Sequence, residues 1–538
     1  MGFLSDLKLY GRFAWGLRGF LHHTVSLDEA KAIIQRRMAE REMNFLRLVR
    51  RGIFGYPKSP YLPLLKMAHC EMGDIENMTR TRGLENTLRS LREAGVYISF
   101  EEFKGRKPIV RNGQVLPAKA NDFDNPFLSH YYEVETGGTT GAGRRISIEL
   151  DHLAAQVPNL VVAHDTQRVL GAPTAIWFGI HPDATGITSI LYRARFGNVP
   201  RKWFSPMMTR NLGPKNLFKY HFFTPSFVLM GRLFGVPIPW PEPVPLDQAI
   251  AVARWATETL RIHGVCLIVT HVSMAMRVCV AAQEHGFDLS GAVFWGSGEP
   301  PTPAKVRVIT RTGARFVPHY AFTETGYVGF GCDQPAEIND LHFFKDILAL
   351  IQYPRQVPGS EITVDAFHFT TLLSTAPKLM LNVESDDYGI IETRSCGCPL
   401  ESYGYTDHLR GIRSFSKLTG EGVTLVGSEM ISILEEVLPA RFGGGPLDYQ
   451  LLEEEDEQGF TRLSLLISPR VGAVDEQSVI DTVLESLRRS ISANLTWAIW
   501  SQTKILRVKR MEPIWTARGK LMPLHLLQRS EEKGSQER

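Results

Sequence analysis

From residue 246 to residue 326 the chain alternates amphipathic and apolar segments at a spacing that leaves few folds open. A helix is expected over 246–262, a strand at Val265–Thr270, a helix at Met274–His285, a strand at Gly291–Trp295, a helix at Thr302–Thr312 and a strand at Arg315–His319. Short apolar strands separated by single helices must run parallel, with helices covering the sheet. The helix expected at Leu150–Val162 and the buried strand at Thr174–Ile180 extend the pattern upstream. The fold class is therefore α/β: a large N-terminal domain of mostly parallel sheets and helices, joined to a small mobile α+β domain. In such sheets ligands gather outside the carboxyl ends of the strands. Two turns fall there, Gly296-Ser297-Gly298-Glu299-Pro300-Pro301 and Tyr320-Ala321-Phe322-Thr323-Glu324-Thr325-Gly326.

Upstream lies Thr136-Gly137-Gly138-Thr139-Thr140-Gly141-Ala142-Gly143-Arg144-Arg145, between two strand-like segments. Glycines free backbone amides to point inward, threonines add hydroxyl donors and arginines add charge, a combination suited to polyphosphate. An ordinary Gly/Thr hairpin fits the composition equally well. The other nucleotide loop, G-x-x-x-x-G-K-[ST], does not occur.

The 538 residues, 43% hydrophobic and 22% charged, suit a globular chain with a sizeable core. A net charge of +3 provides no basic field that would point to nucleic acid. Six irregularly spaced cysteines do not make a secreted disulfide framework. The N-terminus lacks a signal core, and the most apolar window, 264–282, contains His271, Ser273 and Arg277. A cytoplasmic protein with no transmembrane segment is expected.

Residues 1–84 form an N-terminal arm whose arginines between Arg36 and Arg51 interleave with apolar residues. Such a helix either packs its apolar stripe on the body or lies on a membrane surface. Residues 193–245, with nine prolines among many aromatics, are expected to be an irregular excursion. Strands dominate beyond 340. The large domain spans 1–415, the small one 416–528, with strands near 447–454 and 460–467 and a helix over 475–490; 529–538 is a charged, disordered tail.

Taken in order, the Gly/Thr stretch, the aromatic-x-x-Thr-Glu turn, an Asp and an Arg before the domain boundary, and a terminal Gly-Lys resemble the adenylate-forming superfamily of acyl-CoA synthetases. The chain is most similar to its phenylacetate-CoA-ligase-like branch, over about residues 85–525. The resemblance implies that Thr136, Gly137, Gly138, Thr139, Thr140 and Gly141 hold ATP phosphates, with Arg144 where the family has lysine. It implies an adenine site at Gly296, Ser297, Gly298, Glu299 and Pro300, a stacking Tyr320, a phosphate-binding Thr323 and a Mg²⁺-binding Glu324. Asp387 and Arg413 fall at the ribose positions, with Asp407 as a rival for the first. For Lys520, in Thr516-Ala517-Arg518-Gly519-Lys520, the resemblance implies the role of catalytic lysine, delivered by the small domain as it rotates about 414–417.

Cys332, Cys396 and Cys398, with His342 as a fourth donor, either hold a structural Zn²⁺, as some members of the branch do, or are buried thiols. Walls for the acid fall to Trp177, Phe178, His181, His271, Ser273 and Phe322, which suits an aryl or medium-chain acid, while His181 reads equally as a satisfied structural histidine. The resemblance implies ATP, Mg²⁺ and coenzyme A, although a carrier-protein thiol or an amine acceptor would use the same first step, and a homo-oligomer stays open. The Gly143-Arg144 departure leaves room for an acyltransferase that takes preformed thioesters, or for a non-catalytic binding homologue.

Overall fold

The six residues Cys266–His271 are buried on both faces of their strand, as a central parallel strand covered by helices on either side must be. The helix that follows, Val272–Glu284, is buried on most of its circumference. Flanking signals are local: Gly264 closes the helix Ile250–His263 in the left-handed conformation at φ 71°, and Thr302 caps the helix Pro303–Thr310, its hydroxyl accepting from Lys305 N–H at 3.4 Å.

In the computed structural model the described residues are 3–128, 131–135, 145–180, 185–206, 214–298, 301–356, 363–414, 419–420, 423–424, 428–455, 461–489, 506–515, 519, 521 and 524–526. They fall into two units, the first made of residues 1–136, 144–355 and 365–412, the second of 137–143, 356–364 and 413–538.

In the first unit, β1 (Ile109–Arg111) and β2 (Gln114–Leu116) form a short hairpin. β3 (Tyr131–Glu135) and β4 (Arg145–Glu149) pair antiparallel from Tyr131↔Glu149 to Glu135↔Arg145, bracketing the Gly/Thr stretch, which lies outside the described residues. The main sheet takes β5 (Thr174–Trp177), β6 (Lys202–Ser205), β7 (Pro241–Pro243), β8 (Cys266–His271), β9 (Ala292–Ser297), β10 (Arg315–Phe322), β11 (Gly326–Gly331), β12 (Leu341–Phe343), β13 (Leu348–Gln356), β14 (Thr363–Thr371), β15 (Val383–Thr393) and β16 (Asp407–Ser414). Their order is β13-β14-β15-β16-β12-β11-β10-β9-β8-β5-β6-β7. The six strands from β10 to β7 are parallel, as expected. Beyond β10 the pairs β10–β11, β11–β12, β12–β16 and β14–β15 are antiparallel, so the sheet is mixed. Tight connections replace helices there, and strands joined by hairpins can only run antiparallel.

The N-terminal arm contains helices Phe3–His22, Leu27–Ala39 and Arg41–Leu48. Two of its arginines are spent on the body: Arg37 donates to the Ala155 carbonyl at 2.7 Å, and Arg41 donates to Lys345 O and pairs with Glu85. Arg37 and Arg41 thus fit the packing alternative. Farther on, Leu84, Leu88 and Leu91 recur at helical spacing and are buried in the helix Leu84–Glu93, each contributing about 1.5–3 kcal/mol by leaving water.

The described residues of 193–245 are not irregular. They supply β6, β7 and a 20-residue helix, Pro214–Leu233, with Pro225 inside it. The prolines of β7 sit on the outermost strand, where a missing N–H costs no ladder bond.

The second unit has a hairpin of β17 (Thr419–Gly420) and β18 (Val423–Thr424), and a sheet of β19 (Tyr449–Glu455), β20 (Thr461–Ile467), β21 (Leu506–Arg510) and β22 (Leu524–Leu526) in the order β21-β20-β19-β22. Leu451, Leu465 and Ile467 pack with Met430, Leu434, Val479, Val483 and Leu487 in its core.

Candidate active site

The parallel register sets the site. Ile176 lies opposite Val269, Thr270 opposite Gly296, and Pro318 opposite Gly296 on the other side, so β5, β8 and β9 end along one edge while β10 runs on past it to Phe322. Gly296-Ser297-Gly298 caps β9, and Gly298 takes a φ of 83°. Gly296 is required for packing as well: a Cβ there would stand 2.3 Å from the Phe316 ring. His271 ends β8, with its Nδ1 3.2 Å from the Ser297 carbonyl and its ring edge-on to Phe178 at 5.1 Å.

Glu324 sits in the turn between β10 and β11, which the helix Leu150–Thr166 holds from below. His152 Nε2 lies 2.9 Å from the Thr325 carbonyl, and the Gln156 amide also donates to it. Burial pushes the His152 pKa down to about 4, so the ring is neutral and donates from one nitrogen. Gln156 Oε1 accepts from Tyr327 N–H at 3.1 Å and from Tyr192 OH at 2.7 Å. Gly326, at φ 73°, leaves room for that amide, since a Cβ would meet Gln156 Oε1 at 2.0 Å. The Glu324 carboxylate is almost buried and ion-paired with Lys104. Burial alone would raise its pKa, but the Lys104 charge and hydrogen bond, with Lys378 farther off, hold it below the ordinary value.

Tyr320 and Asp387 meet across 67 residues of sequence: the phenol donates to Asp387 Oδ2 at 2.6 Å. Burial and then the neighbouring carboxylate push the Tyr320 pKa well up, so it stays a donor. Phe322 packs on Tyr320 at 5.9 Å and on Phe369 at 5.1 Å, and Thr323 follows in the turn. Asp407, the rival of Asp387, is tied to Lys345 at 2.7 Å and to the Thr393 hydroxyl at 2.6 Å. Arg413 is at the end of β16, and its Nη1 is buried with no hydrogen-bond partner among the described residues.

Trp177 is fully buried and donates its indole N–H to the Val244 carbonyl at 3.1 Å, so the fold uses its ring and polar atom alike. Phe178 and Ser273 are buried near the same strand ends. Thr136, Gly137, Gly138, Thr139, Thr140, Gly141, Arg144, His181, Glu299, Pro300 and Lys520 lie outside the described residues. Sequence reasoning missed Lys104 and the Gln156 brace. Lys104 stands 220 residues before its partner, in an unremarkable basic run.

On the antiparallel side of the sheet, Cys332, His342, Cys396 and Cys398 bring their ligand atoms within 4.8 Å of one another. His342 Nδ1 lies 2.7 Å from the Tyr405 carbonyl and must donate to it, which leaves the Nε2 lone pair toward Cys396 Sγ at 3.7 Å. Amides of Gln334 and Cys398 point at Cys332 and Cys396 sulfurs, both at 3.3 Å. Glu401 holds the loop by accepting from the amides of Cys396 at 3.0 Å and Gly397 at 2.8 Å. Three thiols and one oriented imidazole, largely buried, are a set of four donors of the kind that could hold a Zn²⁺. Behind it, His408 Nδ1 lies 2.7 Å from Asp340.

No family model and no curated protein matches the sequence. Among solved structures, the chain is similar to 2-hydroxyisobutyryl-CoA ligase in the postadenylation state in complex with R3-HIB-AMP, with a TM-score of 0.53 and 14% identity over 94% of this chain and 91% of that one. Looser likenesses, which add no weight, are to the anthranilate CoA ligase AuaEII with anthranoyl-AMP (TM-score 0.43, 10% identity, 81% and 74% of the two chains) and to ATP-bound MatB from Rhodopseudomonas palustris (0.42, 12%, 75% and 67%). Among the described residues no helix is long and apolar enough to cross a membrane. The end-to-end match and the mixed sheet give one conclusion: this chain has the fold of the adenylate-forming acyl-CoA ligases.

Proposed function

We propose that the protein joins a carboxylic acid to ATP, forming an acyl-adenylate and pyrophosphate, and then passes the acyl group to coenzyme A, in the manner of phenylacetate-type aryl-CoA ligases. The observation that carries the reading is the Tyr320–Asp387 hydrogen bond. Two residues assigned to one nucleoside from distant parts of the sequence, Tyr320 on β10 and Asp387 on β15, lie in contact, and Glu324 follows in the turn that ends β10.

A carboxylate attacks the α-phosphorus only if the repulsion between two anions is neutralised and the reacting atoms are aligned. In this reading Gly296–Gly298 leaves room for a flat base against the backbone, Tyr320 stacks on it, and Asp387 and Arg413 take the ribose hydroxyls as acceptor and donor. Thr136–Gly141 and Arg144 grip the phosphates, and Lys520 meets the charge developing between carboxylate and phosphate. His271, Phe178 and Phe322 border the acid.

Glu324 fits a Mg²⁺ in the usual way, one carboxylate completed by substrate phosphates. Such an ion would neutralise phosphate charge when bound, and it would share or displace Lys104 at the carboxylate. Cys332, His342, Cys396 and Cys398 would hold a Zn²⁺ that braces the sheet without entering the chemistry.

Carboxylate-dependent exchange of labelled pyrophosphate into ATP, run against aryl, fatty, hydroxy and amino acids, tests the reading. Exchange with any of them supports it. A second reading, an acyltransferase that uses preformed thioesters, is favoured by the ammonium already seated on Glu324; it expects no exchange with any acid, together with thioester-dependent acyl transfer.

A further inference from the structure

Two helices of the first unit, Phe3–His22 and Pro214–Leu233, pack together through Phe13 and Phe223, whose rings are 5.9 Å apart. Away from that contact they expose large apolar side chains. Trp15 is 83% exposed, Leu229 57%, Leu233 80%, and Trp240, just past the second helix, 45%. Isolated exposed apolar residues are ordinary, but two tryptophans and two leucines on neighbouring elements are not. Two arginines stand beside them: Arg18 on the first helix, and Arg232 on the second, which donates from Nε to the Ile238 carbonyl at 3.0 Å. Arg18 and Arg232 are exposed on the same helices as Trp15 and Leu233, and the Arg232 guanidinium lies 5.7 Å from the Trp240 ring centre.

We propose that this face docks on an anionic lipid surface, without spanning it. Tryptophan and leucine suit the boundary between headgroups and acyl chains, and arginine beside them meets lipid phosphate. A second copy of the chain is a poorer occupant. A two-fold contact through this face would press the exposed Arg18 and Arg232 toward their own copies. Arg37 and Arg41, on the next two helices, take no part, since both are committed to the body.

The full-length protein would be sedimented with sucrose-loaded phosphatidylcholine vesicles containing about 30% phosphatidylglycerol, and with pure phosphatidylcholine vesicles. Binding should be roughly tenfold or more stronger to the anionic vesicles and should weaken as salt shortens the Debye length. Leu229→Glu with Leu233→Glu should lose about tenfold or more of that binding. Arg18→Glu with Arg232→Glu should do the same at unchanged apolar area. Thermal melting of each variant checks that the fold survives, and none of the four residues belongs to the nucleotide site. Undiminished binding by both folded pairs, or no binding to anionic vesicles at low salt, overturns the proposal. So does a wild-type dimer that Leu229→Glu/Leu233→Glu converts to monomer in analytical ultracentrifugation, which would assign the face to a second copy.

Discussion

Two clusters in the first unit are each built from distant stretches of sequence, yet they balance charge in opposite ways. At the Glu324 turn one carboxylate faces one ammonium, that of Lys104, and the pair is already neutral. At the Cys332–His342–Cys396–Cys398 cluster four donors converge, with the imidazole oriented by Tyr405 and the loop braced by Glu401. A carboxylate with a flexible lysine partner can exchange that partner as charged ligands come and go. Four donors fixed by their surroundings have no such partner to exchange, and on the proposed function they would hold one ion that stays.

The sharpest way to break this comparison is at Glu324. Glu324→Gln keeps the shape of the side chain and removes its charge, and on the proposed function it should slow carboxylate-dependent exchange by about a hundredfold, the usual loss for one preorganised electrostatic group. Thermal stability should change little by comparison. The mirror experiment is Cys396→Ser with Cys398→Ser. It should lower the melting temperature by roughly 5 °C and release about one equivalent of zinc, measured by atomic absorption, while exchange at 25 °C persists. If the two variants swap phenotypes, the division between exchanging and fixed sites is wrong.

Smaller effects sharpen the picture. Tyr320→Phe removes the hydroxyl on Asp387 and leaves the ring, so ATP binding measured calorimetrically should weaken by about tenfold, the worth of one hydrogen bond to a charged group. Lys104→Met tests the charge balance at Glu324. With the ammonium gone, burial dominates and the Glu324 pKa must rise, so the acid limb of the exchange profile should move to higher pH. The same pair bears on stability. Because the folded-state value lies below the ordinary 4.5, the pair stabilises the fold above about pH 4.5 and that contribution fades as pH falls through the lowered value. Lys104→Met should therefore flatten the pH dependence of urea unfolding in that acid range.

The parallel half of the sheet was legible because each strand and helix there announces itself within a dozen residues, by apolar runs and by caps such as Gly264 and Thr302. The excursion at 193–245 was misread for a physical reason. Pro225 lies inside a helix and the Pro-x-Pro of β7 lies on a sheet edge, two places where proline is tolerated and composition misleads. In the candidate site, the Tyr320 and Glu324 turn stood out by its local pattern. Lys104 did not, because an ion pair formed over 220 residues leaves no local trace. Gln156 was hidden too: it occupies a helical position that any polar residue could fill, and only the close approach of Gly326 reveals its work.

The central claim is that the strand edge ending at Gly296, Tyr320 and Glu324 makes an acyl-adenylate. It is tested most directly by mixing protein, ATP, Mg²⁺ and an acid active in exchange, without coenzyme A, and quantifying acyl-AMP by mass spectrometry in rapidly quenched samples. The account predicts about one equivalent of acyl-AMP per protein chain, formed about a hundredfold more slowly by Glu324→Gln. No acyl-AMP with any acid in the panel, alongside acyl transfer from preformed thioesters, would contradict it.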